Sequence, residues 1–303
     1  MEREAFFKKI EYALGEYMPE VGVSVTEVTK NNGLILHGLV IRREGTKVSP
    51  TIYLEQFYDR YENGTTFADI ITDLEKVINE CTGEGINVDY FSDFEEVKDR
   101  IVCKIINYDM NSGLLNSVPF VRWNDLAIVF CHICDESIAG YATILIRNSH
   151  LEMWHVTGED IYEYARKNTP RLMHDELSTI DELLKDMIGG PLPGGLRNGI
   201  DNDPDNPVAA MYVLTNSKRI FGATSMLYSG YLKELSDRFG SGLYILPSSI
   251  HEVILLPEND VYDPDFMREM ICEVNESEVS LEERLSDNLY YYDRNTEEIR
   301  IAG

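Results

Sequence analysis

Residues 125–147 read DLAIVFCHICDESIAGYATILIR. Two β-rich runs, Asp125 to Ile133 and Gly140 to Arg147, stand on either side of Asp135-Glu136-Ser137, a polar triplet that reads as a hairpin turn. A third β-rich run, Ile101 to Tyr108, precedes them. Strands joined by short turns, with helices only after small groups of strands, do not build a doubly wound parallel sheet. The expected class is α+β, with antiparallel or mixed sheets built from hairpins and helices packed on one face.

Upstream, Phe6, Phe7, Ile10, Leu14 and Met18 recur at helical spacing, and Pro19 ends the segment. Val21 to Val28 and Leu34 to Ile41 read as strands around Asn31-Asn32-Gly33, a turn signal because it needs positive φ. Ser49 to Leu54 reads as a further strand, and Gln56 to Tyr61 as a helix. Thr66 with Asp69 predicts a capping box before the stripe Ile70, Leu74 and Ile78.

Downstream, Thr157 with Asp160 predicts another capped helix, and Ser178 with Asp181 a third. Residues 189–207, rich in Gly, Pro and Asp, read as a linker or long loop. The expected organisation is therefore an N-terminal α+β domain over 1–188 and a C-terminal α+β region with an acidic tail over 208–303. In the latter, Ala210 to Leu214, Leu243 to Leu246 and Ile250 to Leu256 read as strands. Leu232, Leu235 and Phe239 read as a helix stopped by Gly240. Asp263-Pro264 opens a helix with Phe266, Met270 and Val274 on its apolar side, and a terminal hairpin joins Leu289 to Tyr292 with Ile299 to Ile301.

Charge narrows the function classes. The 303 residues carry 53 acidic and 27 basic side chains, a formal net charge of −26. Such a chain repels phosphate backbones and anionic lipid, so neither direct nucleic-acid binding nor membrane association is expected. The first apolar residues are interrupted by Lys8, Lys9 and Glu11, unlike a signal peptide, and no apolar run is long enough to span a bilayer. The expected compartment is the cytoplasm, and the five cysteines at uneven spacing are expected as reduced thiols.

No motif for chemistry is complete. Cys131-His132-Ile133-Cys134 has redox or zinc spacing, but a strand aims residues three apart at opposite faces, and no second Cys pair exists. Asp201, Asp203 and Asp205 match the start of a calcium loop, which fails at Asn206 and Tyr212. The glycines at 189–195 lack the Gly-Lys-Ser/Thr of a phosphate loop. His150 and His155 do not have helical metal spacing. No metal or cofactor is expected. Ser248, Ser249, His251 and Glu252 offer a hydroxyl, a base and an acid, yet on a strand His251 and Glu252 would point apart. Arg171, in the turn Asn168-Thr169-Pro170-Arg171, offers a fork for a carboxylate or phosphate.

Several strings, taken in order, resemble an uncharacterised bacterial family typical of gut anaerobes, domain of unknown function 5688. They are Asn31-Asn32-Gly33 with the run that follows, Ser49 to Leu54, Asp125 to Phe130, Asn168 to Leu172, Met211 to Asn216, and Ser248 to Val253 running on to Pro257. The resemblance covers about 1–257 and implies no activity and no catalytic residues. The candidate binding residues are Asn168, Arg171, Asn216, Ser248, Ser249, His251 and Glu252.

Three functions follow in order of preference. The first is a non-enzymatic binding or interaction module with a protein or small-molecule partner. The second is an enzyme with a site near Arg171 and His251. The third is an acidic antagonist that imitates DNA. A pocket joining 168–171 to 248–252 would favour the enzyme.

Overall fold

The computed structural model describes residues 1–19, 21–42, 51–82, 89–137, 140–180, 182–183, 211–247, 249–258 and 263–302. The chain forms two compact units, Met1–Glu96 and Val97–Gly303. Every strand pair among the described residues is antiparallel, and helices pack on the sheets, which makes the fold α+β.

In the first unit, β1 (Gly22–Thr29), β2 (Ile35–Arg42) and β3 (Thr51–Tyr53) form a sheet in that order. The turn between β1 and β2 holds Asn32 at φ 57° and Gly33 at φ 73°, the left-handed backbone that the Asn-Gly pair accepts most readily. Helices α1 (Arg3–Tyr17), α2 (Glu55–Glu62) and α3 (Phe67–Thr82) complete the unit. Phe6, Ile10 and Leu14 of α1 share a core with Leu39 of β2 and Leu74 of α3. The expected cap on α3 is present: Thr66 Oγ1 donates to Asp69 Oδ2 at 2.6 Å, and Asp69 N–H donates back to Thr66 Oγ1 at 3.2 Å.

The second unit contains two sheets. In the first, β6 (Leu126–Ser137) is flanked by β4 (Ile101–Asn107) on one side, and by β5 (Val121–Trp123) and β7 (Gly140–Leu145) on the other. Buried on both faces from Leu126 to Cys134, β6 explains the unbroken apolar run there. Strand pairing carries it through Ser137, so 135–137 belong to the strand and not to the turn. Two helices follow: α4 (Asn148–Trp154) and α5 (Gly158–Leu172), the latter capped by Thr157 and Asp160 as expected.

The other sheet has the order β13-β12-β10-β11-β9-β8, built from β8 (Asp175–Thr179), β9 (Tyr212–Asn216), β10 (Leu243–Leu246), β11 (Val253–Pro257), β12 (Tyr290–Asp293) and β13 (Glu298–Ile301). Helix α6 (Tyr231–Phe239) meets β10 and β11 and brings Phe239 against Tyr212, and α7 (Pro264–Ser277) packs Met267 and Ile271 against Leu246 and Leu256.

Two expectations change. Ser178 lies in strand β8, and Thr179 with Glu182 makes the next cap, because β8 pairs with β9 through Thr179. The buried face of α7 carries Met267 and Ile271, whereas Phe266 and Val274 are exposed; the helix is rotated by about one residue from the expected stripe. The boundary between the two compact units is Glu96/Val97, and β8 and β9, which precede and follow 189–207 in the sequence, pair with each other. Residues 189–207 themselves, with Asp201, Asp203, Asp205 and the glycine run, lie outside the described residues, as do Ser49, Pro50, Asp181 and Ser248. Among the described residues, no helix is long and apolar enough to cross a membrane.

Candidate functional site

Asn168–Arg171, expected as a turn after a helix, instead form the last turn of α5, where they make a structural clamp. Asn168 Nδ2 donates to Lys98 O at 2.8 Å and Ile101 O at 3.0 Å, and Arg171 Nη2 donates to Asp99 O at 2.6 Å and Asn168 Oδ1 at 3.1 Å. Thr169 Oγ1 accepts from Cys103 N–H at 2.9 Å and donates to Ala165 O at 2.6 Å. These groups satisfy the backbone where β4 begins and tie the last turn of α5 to it. Arg171 Nη2 is engaged within the clamp, by one backbone carbonyl and the Asn168 side chain.

The loop before β11 behaves differently. Strand pairing begins at Val253, so His251 and Glu252 are not on a strand as expected. The buried Ser249 hydroxyl holds the loop in its turn. Its Oγ accepts from His251 N–H at 3.0 Å and donates to Glu252 Oε1 at 3.0 Å. Neighbouring segments fix the loop from two sides. Thr215 Oγ1 donates to His251 O at 2.8 Å, Ala223 N–H donates to Ile250 O at 3.2 Å, and Ile250 N–H donates to Glu283 O at 2.9 Å. Released from strand alternation, the His251 and Glu252 side chains line one cavity of about 410 Å³ together with Arg219, Ser249, Glu278, Val279 and Glu283.

Asn216 braces the turn that carries Arg219. Fully buried, it donates from Nδ2 to Ile220 O at 2.9 Å and accepts at Oδ1 from Lys218 N–H at 3.1 Å. That bracing supports a turn in which Arg219 and Phe221 both have φ 53°. Two side-chain-bearing residues at positive φ in one short turn are costly and need such support.

Of the seven expected binding residues, Ser249, His251 and Glu252 therefore line one cavity, Asn216 braces the turn that carries Arg219, Asn168 and Arg171 belong to a clamp that does not line it, and Ser248 lies outside the described residues. Arg219, Glu278, Val279 and Glu283 carried no motif. Arg219 depends on an unforeseen turn, and the glutamates are camouflaged in a segment rich in acid.

Ser249 and His251 are not arranged as a nucleophile and its base. Ser249 Oγ bonds to Glu252 and a backbone amide, not to an imidazole. His251 Nε2 stands 3.7 Å from Glu283 Oε1, and Nδ1 is shielded from solvent with no hydrogen-bond partner among the described residues. A catalytic histidine needs one ring nitrogen on the nucleophile and an acceptor orienting the other.

Cys131 and Cys134 are both buried and neither is in a disulfide, and among the described residues no group of three or more His, Cys, Asp or Glu side chains gathers as a metal site. Burial pushes the thiols of Cys103 and Cys131 up to about 11 from an ordinary 9.0. Iodoacetamide at pH 8, read residue by residue by mass spectrometry, is expected to leave both unmodified in the folded chain while exposed Cys272 reacts. Rapid native labelling of Cys131 would contradict its burial.

A second cavity, of about 420 Å³, lies among Phe120, Leu151 and Tyr162 and carries less charge. A family model described as a family of unknown function (DUF5688) matches residues 3–294. That span takes in α7 and β12, beyond the resembling strings at 1–257. No curated protein and no solved structure matches the chain.

Proposed function

We propose, for a chain that belongs to the DUF5688 family of unknown function, that it is a non-enzymatic binding protein whose ligand sits in the cavity between Arg219, the 249–252 loop and the 278–283 segment. One observation carries this reading: both hydrogen-bonding roles of the Ser249 hydroxyl are used to hold the loop, while charged side chains from three separate segments converge on the space in front of it. A braced wall with polar groups directed at one cavity suits recognition, because little ordering remains to be done on binding. The enzyme alternative needed a pocket joining 168–171 to 248–252, and the clamp at Arg171 does not line this one.

Thermal-shift screening of the full chain against a library of small polar metabolites tests the reading. Hits are expected that the double variant Arg219→Ala/Glu283→Gln loses, and none should be chemically converted. Turnover of a hit that Ser249→Ala or His251→Ala abolishes would overturn it. So would hits unaffected by the double variant.

A further inference from the structure

The charges that line the cavity are opposite in sign, yet they do not neutralise one another. Arg219 forms no ion pair within 4 Å among the described residues, although Glu252, Glu278 and Glu283 line the same cavity. Its turn, held at φ 53° and braced by Asn216, fixes where the guanidinium starts. Glu278 likewise makes no side-chain hydrogen bond or ion pair among the described residues. Glu283 keeps Oε1 at 3.7 Å from His251 Nε2 and accepts Ser280 Oγ at Oε2, at 3.0 Å. An exposed guanidinium close to carboxylates ordinarily gains little by pairing, so separation alone is unremarkable. Separation around a shared cavity, on braced segments, leaves room for a ligand to complete both halves.

We infer that the ligand is a free basic α-amino acid, its carboxylate held by Arg219 and its cationic groups by Glu278 and Glu283; this rests on the binding reading above. Three glutamates and one arginine line the cavity, so a ligand with one anionic group and a net positive charge balances it better than a neutral or acidic one. The guanidinium fork suits a carboxylate. Val279 supplies an aliphatic surface for the methylene stem of lysine or arginine.

Isothermal titration of the full chain with L-arginine, L-lysine, agmatine and L-glutamate tests the inference. The basic amino acids are expected to bind with Kd on the order of 0.1–1 mM, as suits an open site and a small ligand. Agmatine, which lacks the carboxylate, should bind about tenfold more weakly. Arg219→Ala should abolish the preference for arginine over agmatine, and Arg219→Lys should restore part of it. Glu278→Gln and Glu283→Gln should weaken both ligands about tenfold without lowering Tm. Equal affinity for agmatine and arginine, tighter binding of L-glutamate, or no binding of either basic amino acid would overturn the inference. If the polar-metabolite screen still returns hits sensitive to the double variant, the binding reading survives that failure; if it returns none, both fall.

Discussion

Gly222→Ala is expected to cost about 3 kcal/mol and to lower the Tm of the second unit by roughly 6–12 °C. A Cβ at this position would stand 2.1 Å from His251 O and 2.2 Å from Thr215 Oγ1. Those two atoms form the hydrogen bond that fixes the back of the 249–252 loop, so neither can retreat alone. The backbone at 222 would have to withdraw, taking with it the bond from Ala223 N–H to Ile250 O. Loss of ligand binding should accompany the loss of stability, because the same contacts position His251. Circular dichroism with temperature measures the first effect. An unchanged Tm would contradict the close packing of Gly222 against His251 O and Thr215 Oγ1.

Asp125→Ala is expected to be at least as damaging, at about 4 kcal/mol, read as a lowered urea midpoint. Asp125 Oδ2 accepts from Ser286 Oγ at 2.6 Å and Asn288 Nδ2 at 2.9 Å, and Oδ1 accepts from the hydroxyl of Tyr290. Tyr290 is fully buried and stacks on Trp123 with ring centres 6.1 Å apart. One carboxylate thus anchors the segment leading into β12 against the turn between β5 and β6. Removing it leaves several donors without an acceptor, one of them deep in the core. Tyr290→Phe deletes a donor instead of the shared acceptor and should cost about 1–2 kcal/mol. Equal effects from the two substitutions would show that the carboxylate is not the centre of the network.

Much of the fold could be read along the chain because its signals were local. The Thr66–Asp69 and Thr157–Asp160 boxes, the Asn32-Gly33 turn and the Gly240 stop each encode backbone geometry within a few residues. Strand β8 was hidden because Asp175-Glu176-Leu177-Ser178-Thr179 offers a single apolar side chain; as an edge strand it needs only its backbone partner in β9. The α7 stripe was ambiguous because Phe266-Met267 and Met270-Ile271 place apolar side chains on adjacent tracks, and only the sheet beneath chooses Met267 and Ile271. The site suffered most from a strand drawn too long. Reading Ile250 to Leu256 as extended sent His251 and Glu252 to opposite faces, whereas the Ser249 hydroxyl curls the backbone and turns both into one cavity. Arg219, Glu278 and Glu283 join them through tertiary contacts that no spacing announces.

Chemical-shift mapping of the backbone amides, with the strongest hit from the polar-metabolite screen titrated into the full chain, tests most directly where binding occurs. The predicted result is a set of saturable shifts concentrated at Arg219, His251, Glu252, Glu278 and Glu283. Shifts centred instead on Phe120, Leu151 and Tyr162, or none at any concentration, would contradict the assignment of this cavity as the binding site.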